Sequence, residues 1–160
     1  MKTSWQKSMF ITYLLLLGLC IGAEIAVGVL AAPVIFFPDR FLGEGVLDHF
    51  QSGVLMTQIF LKFNVLLMLS TLLIAAYEIY LYRTKRYDLA SALLFSVALL
   101  GSLAFVLYFT PYIVEAQKAG AEATATTEFR SIHNWSEIVM KAILLAQVGL
   151  FFRRVWLYLK

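Results

Sequence analysis

Four long apolar runs dominate this sequence, and each is long enough to cross a lipid bilayer as a single helix. A helix needs about 20 consecutive, mostly apolar residues to traverse the hydrocarbon core. The runs cover about residues 8–37, 53–82, 89–114 and 132–159. Glu24 alone interrupts the first; Lys62 and Glu78 interrupt the second; the third has no charged residue. The fourth is the least apolar, because His133, Glu137 and Lys141 fall in its first half.

Composition agrees with lipid as the solvent. The chain is 61% hydrophobic and 14% charged, against about 25% charged residues in a typical soluble domain. That leaves too little polar surface to coat a water-facing globule. Spanning segments must satisfy their own backbone hydrogen bonds, which helices do. The expected fold is therefore all-α, an integral membrane four-helix bundle forming one domain over residues 1–160. A cleaved leader is the rival reading of the start, with Lys2 and Lys7 ahead of an apolar 9–23. The apolar run continues to Phe37, and the small-residue step Ala26-Val27-Gly28 lies inside it, so a retained helix is expected.

Basic residues gather at one set of ends: Lys2 and Lys7, then Arg83, Lys85 and Arg86, then Arg153, Arg154 and Lys160. The other two loops hold Arg40, Lys118 and Arg130 against six acidic residues: Asp39, Glu44, Asp48, Glu115, Glu122 and Glu128. Lys/Arg bias sets orientation, which predicts cytoplasmic N and C termini and acidic loops facing outward. Trp5, Tyr80, Tyr82, Tyr87, Trp156 and Tyr158 would form an inner aromatic belt, with Tyr112 and Trp135 marking the outer one. The expected partner is the bilayer, not nucleic acid.

Ionisable residues at membrane depth are costly and usually face the protein interior. At about 1.5 Å rise per residue, Glu24 lies roughly 18 Å below the outer end of its helix, and Lys62 and Lys141 roughly 15 Å below theirs. Three charges from three helices thus share a layer. On the first helix Tyr13, Cys20, Glu24, Gly28 and Ala31 share a side. On the second, Gln51, Leu55, Gln58, Lys62 and Leu69 do. On the fourth, His133, Glu137 and Lys141 are spaced i, i+4, with Asn134 nearby. Two readings of this layer stay open. Glu24 and Glu137 neutralise Lys62 and Lys141 and only set packing; or the layer, with His133, Asn134, Gln58, Asp48 and His49, lines an outward-opening pocket for a small ion or ligand.

His49 and His133 are weak candidates for a metal or haem iron; the plainer reading is two interfacial histidines. Cys20, the single cysteine, reads as a small core residue, though its place on the Glu24 face leaves copper open. No Cys/His cluster has zinc spacing, and no Gly-rich phosphate loop occurs. Gly18 and Gly22 form a GxxxG step that suits close packing, within the chain or in a homo-oligomer. Pro33 and Pro111 are expected to end or kink their helices.

The segments GAEIAVGVLAAPVIFFP, GEGVLDHFQSGVLMTQIFLKFN and EFRSIHNWSEIVMKAILL together resemble the domain of unknown function 4149 family, and are most similar to its bacterial members. The resemblance implies a four-helix protein of the bacterial inner membrane and implies no activity. The outline is also similar to copper-resistance membrane proteins and to four-helix haem-biosynthesis oxidases, a weak warrant for function. Three functions follow: a non-enzymatic protein with an outward polar pocket, a haem- or copper-handling protein using His49 or His133, or a structural partner subunit.

Overall fold

A computed structural model describes residues 3–160; Lys2 lies outside them. The described residues form an all-α structure of four long helices, α1 (Ser4–Phe36), α2 (His49–Arg83), α3 (Leu89–Ala119) and α4 (Thr127–Leu159), with single helical turns at Asp39–Leu42 and Ala121–Thr124 in the first and last connections. The helices α1, α2 and α3 are long and apolar enough to cross a membrane. The fourth is equally long but carries charges along much of its length.

Polar caps start α1, α2 and α4 ahead of their apolar stretches, and α3 outruns its own at the far end. Thr3 accepts from the Gln6 backbone N–H (3.3 Å) while the Gln6 side chain accepts from the Thr3 N–H (3.2 Å). Asp48 and Gln51 form the same reciprocal pair ahead of α2. Such boxes satisfy amides that a helix start leaves without partners. At the far end of α3, Gly120 adopts φ 109°, a left-handed conformation open to glycine, and lets the chain turn into α4.

Neither proline ends its helix. A proline ring clashes with the carbonyl four residues earlier, here Val29 for Pro33 and Leu107 for Pro111. Both carbonyls lie in π-helical turns, Ala26–Ala31 and Phe105–Phe109. The wider i→i+5 turn moves that carbonyl off the ring. Thr110 seals the second π turn by donating its hydroxyl to the Phe105 carbonyl at 2.9 Å.

Consecutive helices pack side by side, and α4 also meets α1 along Ser4–Ile25. The tightest approach is between α3 and α4. A Cβ on Gly101 would sit 2.7 Å from Ile143, and one on Gly149 would sit 3.1 Å from Leu94. Small residues at such a seam let backbones close up. Gly18 also faces α4, with Phe151 4.0 Å from where its Cβ would be, whereas Gly22 faces open space.

Two apolar clusters stack along the interior. Cys20, Phe63, Leu67, Phe105 and Ile143 form one; Tyr13, Leu17, Ile74 and Leu150 form the other, nearer the chain termini. The outside is apolar too: Ile11, Leu15, Leu19, Val65, Leu69, Leu72, Leu100, Leu107 and Leu145 are all more than half exposed. Exposed apolar area on that scale belongs against lipid.

The terminal end of the helix assembly is closed by a buried ionic network. Arg154 and Glu78 form a two-pronged pair, one prong 2.9 Å from Arg154 Nε to Glu78 Oε1. Their side chains are 4% and 6% exposed. Tyr13 donates to the same carboxylate at 2.9 Å. Asp88 extends the network, accepting from Arg153 Nε at 3.1 Å and lying 3.8 Å from Arg154 Nη1.

Asp88 also caps α3, accepting from the Ser91 N–H and hydroxyl. Partial burial works against its charge, but the Ser91 and Arg153 hydrogen bonds outweigh that and hold its pKa below the ordinary carboxylate value. A folded-state pKa below the unfolded one contributes stability that is complete above the unfolded value of about 3.9 and fades as pH falls toward the folded value. Asp88→Asn keeps a good cap and removes the charge. Thermal melts of this variant are expected to be less pH-dependent below about pH 4 than those of the parent protein. An unchanged slope would remove Asp88 as its source.

Candidate functional site

Between the halves of the helices away from the chain termini lies a cavity of about 850 Å³. Ligand pockets commonly run from about 300 to 1,000 Å³. Its walls run from Phe36, His49, Gln117 and Phe129 near the helix ends down to Glu24, Phe60, Phe105 and Leu144. From Phe36 to Glu24 is roughly 18 Å along α1 at the helical rise. Below that level the Cys20–Phe63–Leu67 cluster closes the interior.

Local sequence explains why the space exists. Both π turns border it, through Gly28 and Val29 on α1 and Phe105 on α3. A Cβ at Gly28 would meet nothing within 4 Å. Side-chain hydrogen bonds brace the walls. Gln117 Nε2 donates to Thr57 at 3.0 Å, and Asn64 Nδ2 donates to Thr110 at 2.9 Å. Phe129 stacks on His133 with ring centroids 5.9 Å apart, and Phe36 lies 5.7 Å from His49.

Glu24 is the one buried charged group among the residues of this wall. It is 6% exposed, and neither carboxylate oxygen has a hydrogen-bond partner in the protein. One turn below, Gln147 Nε2 reaches the Cys20 thiol at 3.6 Å, while Gln147 Oε1 has no partner. The other charges on the wall are better placed. Glu137 lies 3.5 Å from His133 Nε2 and 3.3 Å from Lys141 Nζ, all on the exposed flank of α4.

The charge layer expected from the sequence is thus only partly assembled. Glu24, His133, Glu137 and Lys141 border the cavity, as does His49. Gln58, Lys62 and Asn134 are exposed and are not among the residues that line it. No cross-helix pair joins Glu24 to Lys62, and Glu137 pairs within its own helix. The reason is rotational. The inward face of α2 is Ser52, Met56, Phe63, Leu67, Ser70, Ile74, Glu78 and Leu81. Lys62 precedes Phe63 by one residue, which turns it about 100° away. The stripe Gln51, Leu55, Gln58, Lys62 and Leu69 is the outward face.

Two features lay outside the sequence expectations. One is the Glu78–Arg154 pair, whose members counted only as an interruption of a span and as flanking positive charge. The other is the polar contribution of α3, whose run of 89–114 carries no charge but whose Thr110 and, past the end of that run, Gln117 bond to α2. As a metal site the cavity is poor. Among the described residues no three His, Cys, Asp or Glu side chains gather, fewer donors than a protein-held copper or zinc ion ordinarily takes.

The family described as "domain of unknown function (DUF4149)" matches residues 15–122, two thirds of the chain, ending ahead of α4. Glu24, Glu78 and Asp88 lie inside the match; His133, Glu137, Lys141 and Arg154 lie beyond it. No curated protein and no solved structure matches the chain.

Proposed function

This chain belongs to the DUF4149 family, and from the cavity it carries we propose that it is a non-enzymatic membrane protein binding a small ligand or ion from the outer side. The observation that carries this is one charged residue in one place: Glu24, buried at the foot of an 850 Å³ cavity with no partner for its carboxylate. Intramembrane carboxylates are expensive and are usually retained for what they bind or relay. The packing role that a charge layer could fill is already served at the opposite end by Glu78 and Arg154.

In this reading α4 is the fourth span, completing a four-helix bundle. Both termini face the cytoplasm of a bacterial inner membrane, and the acidic loops face out, following the Lys/Arg bias. The cavity then opens outward, and Leu17, Leu67 and Leu150, none of them exposed, block passage inward. That geometry suits capture better than conduction.

Cysteine accessibility tests it. Gly28→Cys places a thiol in open cavity space, while native Cys20 is fully buried and serves as the unreactive control. A charged, membrane-impermeant thiol reagent applied to right-side-out vesicles is expected to modify the introduced thiol and spare Cys20. Modification only in inverted vesicles, or none in either, would refute an outward-open cavity.

A further inference from the structure

The buried groups left without partners are unbalanced in kind. They are Glu24 Oε1 and Oε2, Asn64 Oδ1, Gln147 Oε1, the hydroxyls of Ser70 and Ser102, and His133 Nδ1. Carboxylate and amide oxygens can only accept hydrogen bonds, and hydroxyls can both accept and donate. No amide N–H₂, guanidinium or ammonium is among them. Of these groups only Glu24 and, nearer the mouth, His133 line the cavity, so what its foot leaves unmet is the Glu24 carboxyl. Leaving such groups unmet is costly.

The walls above are different in character. Ile25, Val29, Phe60, Phe105, Met140 and Leu144 make the deep half apolar and aromatic. A bare metal cation would need several oxygen ligands around one point, and such walls do not offer them. An anion would meet Glu24. A wholly apolar occupant would leave Glu24 unpaired.

Resting on the ligand-binding reading above, we propose that the cavity's ligand is a primary alkyl- or arylammonium amphiphile, its –NH₃⁺ head directed to Glu24. The head supplies three hydrogen-bond donors and the missing positive charge. The apolar body fills the Phe- and Met-lined space, and the aromatic walls favour a cation passing over them. No covalent step is involved.

Four probes sharing one chain separate head-group chemistry from mere hydrophobicity: decylammonium, decyltrimethylammonium, decanol and decyl sulfate. Binding of each is measured by equilibrium dialysis against the full-length protein in nanodiscs, with empty nanodiscs subtracted. Decylammonium is expected to bind most tightly. Decanol and decyl sulfate should be weaker by roughly ten-fold or more, the worth of one charge-assisted hydrogen bond. Decyltrimethylammonium, charged but without donors, should fall between. Glu24→Gln should erase the preference for decylammonium over decanol while leaving decanol binding intact.

Two results would overturn the assignment of an amine while leaving the cavity reading standing. In one, all four probes bind equally and Gly28→Trp, which fills the space, removes them all. In the other, the preference survives in Glu24→Gln. Should no probe saturate, the cavity reading fails as well.

Discussion

Replacing Arg154 with methionine is expected to cost about 3–5 kcal/mol of stability, the range seen when one member of a buried ion pair is removed. Both partners are almost fully buried, so solvent cannot screen the Glu78 carboxylate that is left behind. Tyr13 would retain its hydrogen bond to Glu78 but cannot neutralise it. The pair ties α2 to α4 at the terminal end, where α1 joins through Tyr13. Loss of the arginine should therefore loosen three helices together. Titration with SDS in mixed micelles reads this directly. The double variant Glu78→Leu/Arg154→Leu should recover most of the loss, because apolar replacement of a whole buried pair is often neutral or better. A double variant no more stable than Arg154→Met would mean that the arginine acts through packing and not through its charge.

Glu24→Leu should move stability the other way. Its carboxylate is as buried as that of Glu78 but has no partner, so its removal relieves an unmet desolvation cost of roughly 1–3 kcal/mol. The cavity beside it has room for the leucine branch. The same SDS titration should show the variant more resistant than the parent protein, while decylammonium binding falls to the level of decanol. Stability gained where function is lost marks a residue kept for binding. A destabilised Glu24→Leu would show that Glu24 has a structural partner after all.

These opposite signs mark what the sequence could and could not convey. Long apolar runs announce helices, because period and length are local properties. The ends were set by Thr3, Asp48 and Gly120, whose capping roles extend each helix past its apolar stretch. The face of α1 bearing Tyr13, Cys20 and Glu24 could be read because its polar residues point inward along with Leu17. On α2 the same logic misled. Polar Gln58 and Lys62 mark the outward face, while the inward face hides its polarity in Ser52, Thr57, Asn64 and Ser70. Small hydroxyls and amides carry little weight in a hydropathy pattern, yet Thr57 and Asn64 make the cross-helix bonds to Gln117 and Thr110. The Glu78–Arg154 pair was invisible for another reason. Its members lie 76 residues apart, and flanking arginines at a membrane surface ordinarily remain in water. The π turns before Pro33 and Pro111 were likewise beyond a propensity reading, which predicts a break and not a widened turn.

Carbodiimide labelling tests most directly whether Glu24 is a free carboxyl at the foot of an open cavity. The protein in lipid is treated with dicyclohexylcarbodiimide, and modified peptides are mapped by mass spectrometry in the presence and absence of decylammonium. Glu24 is expected to be modified well ahead of Glu78, which Arg154 and Tyr13 occupy, and decylammonium should protect it. Equal labelling of the two carboxyls, or a Glu24 that stays unmodified while the protein is folded, would contradict a partner-free carboxylate reached through the cavity.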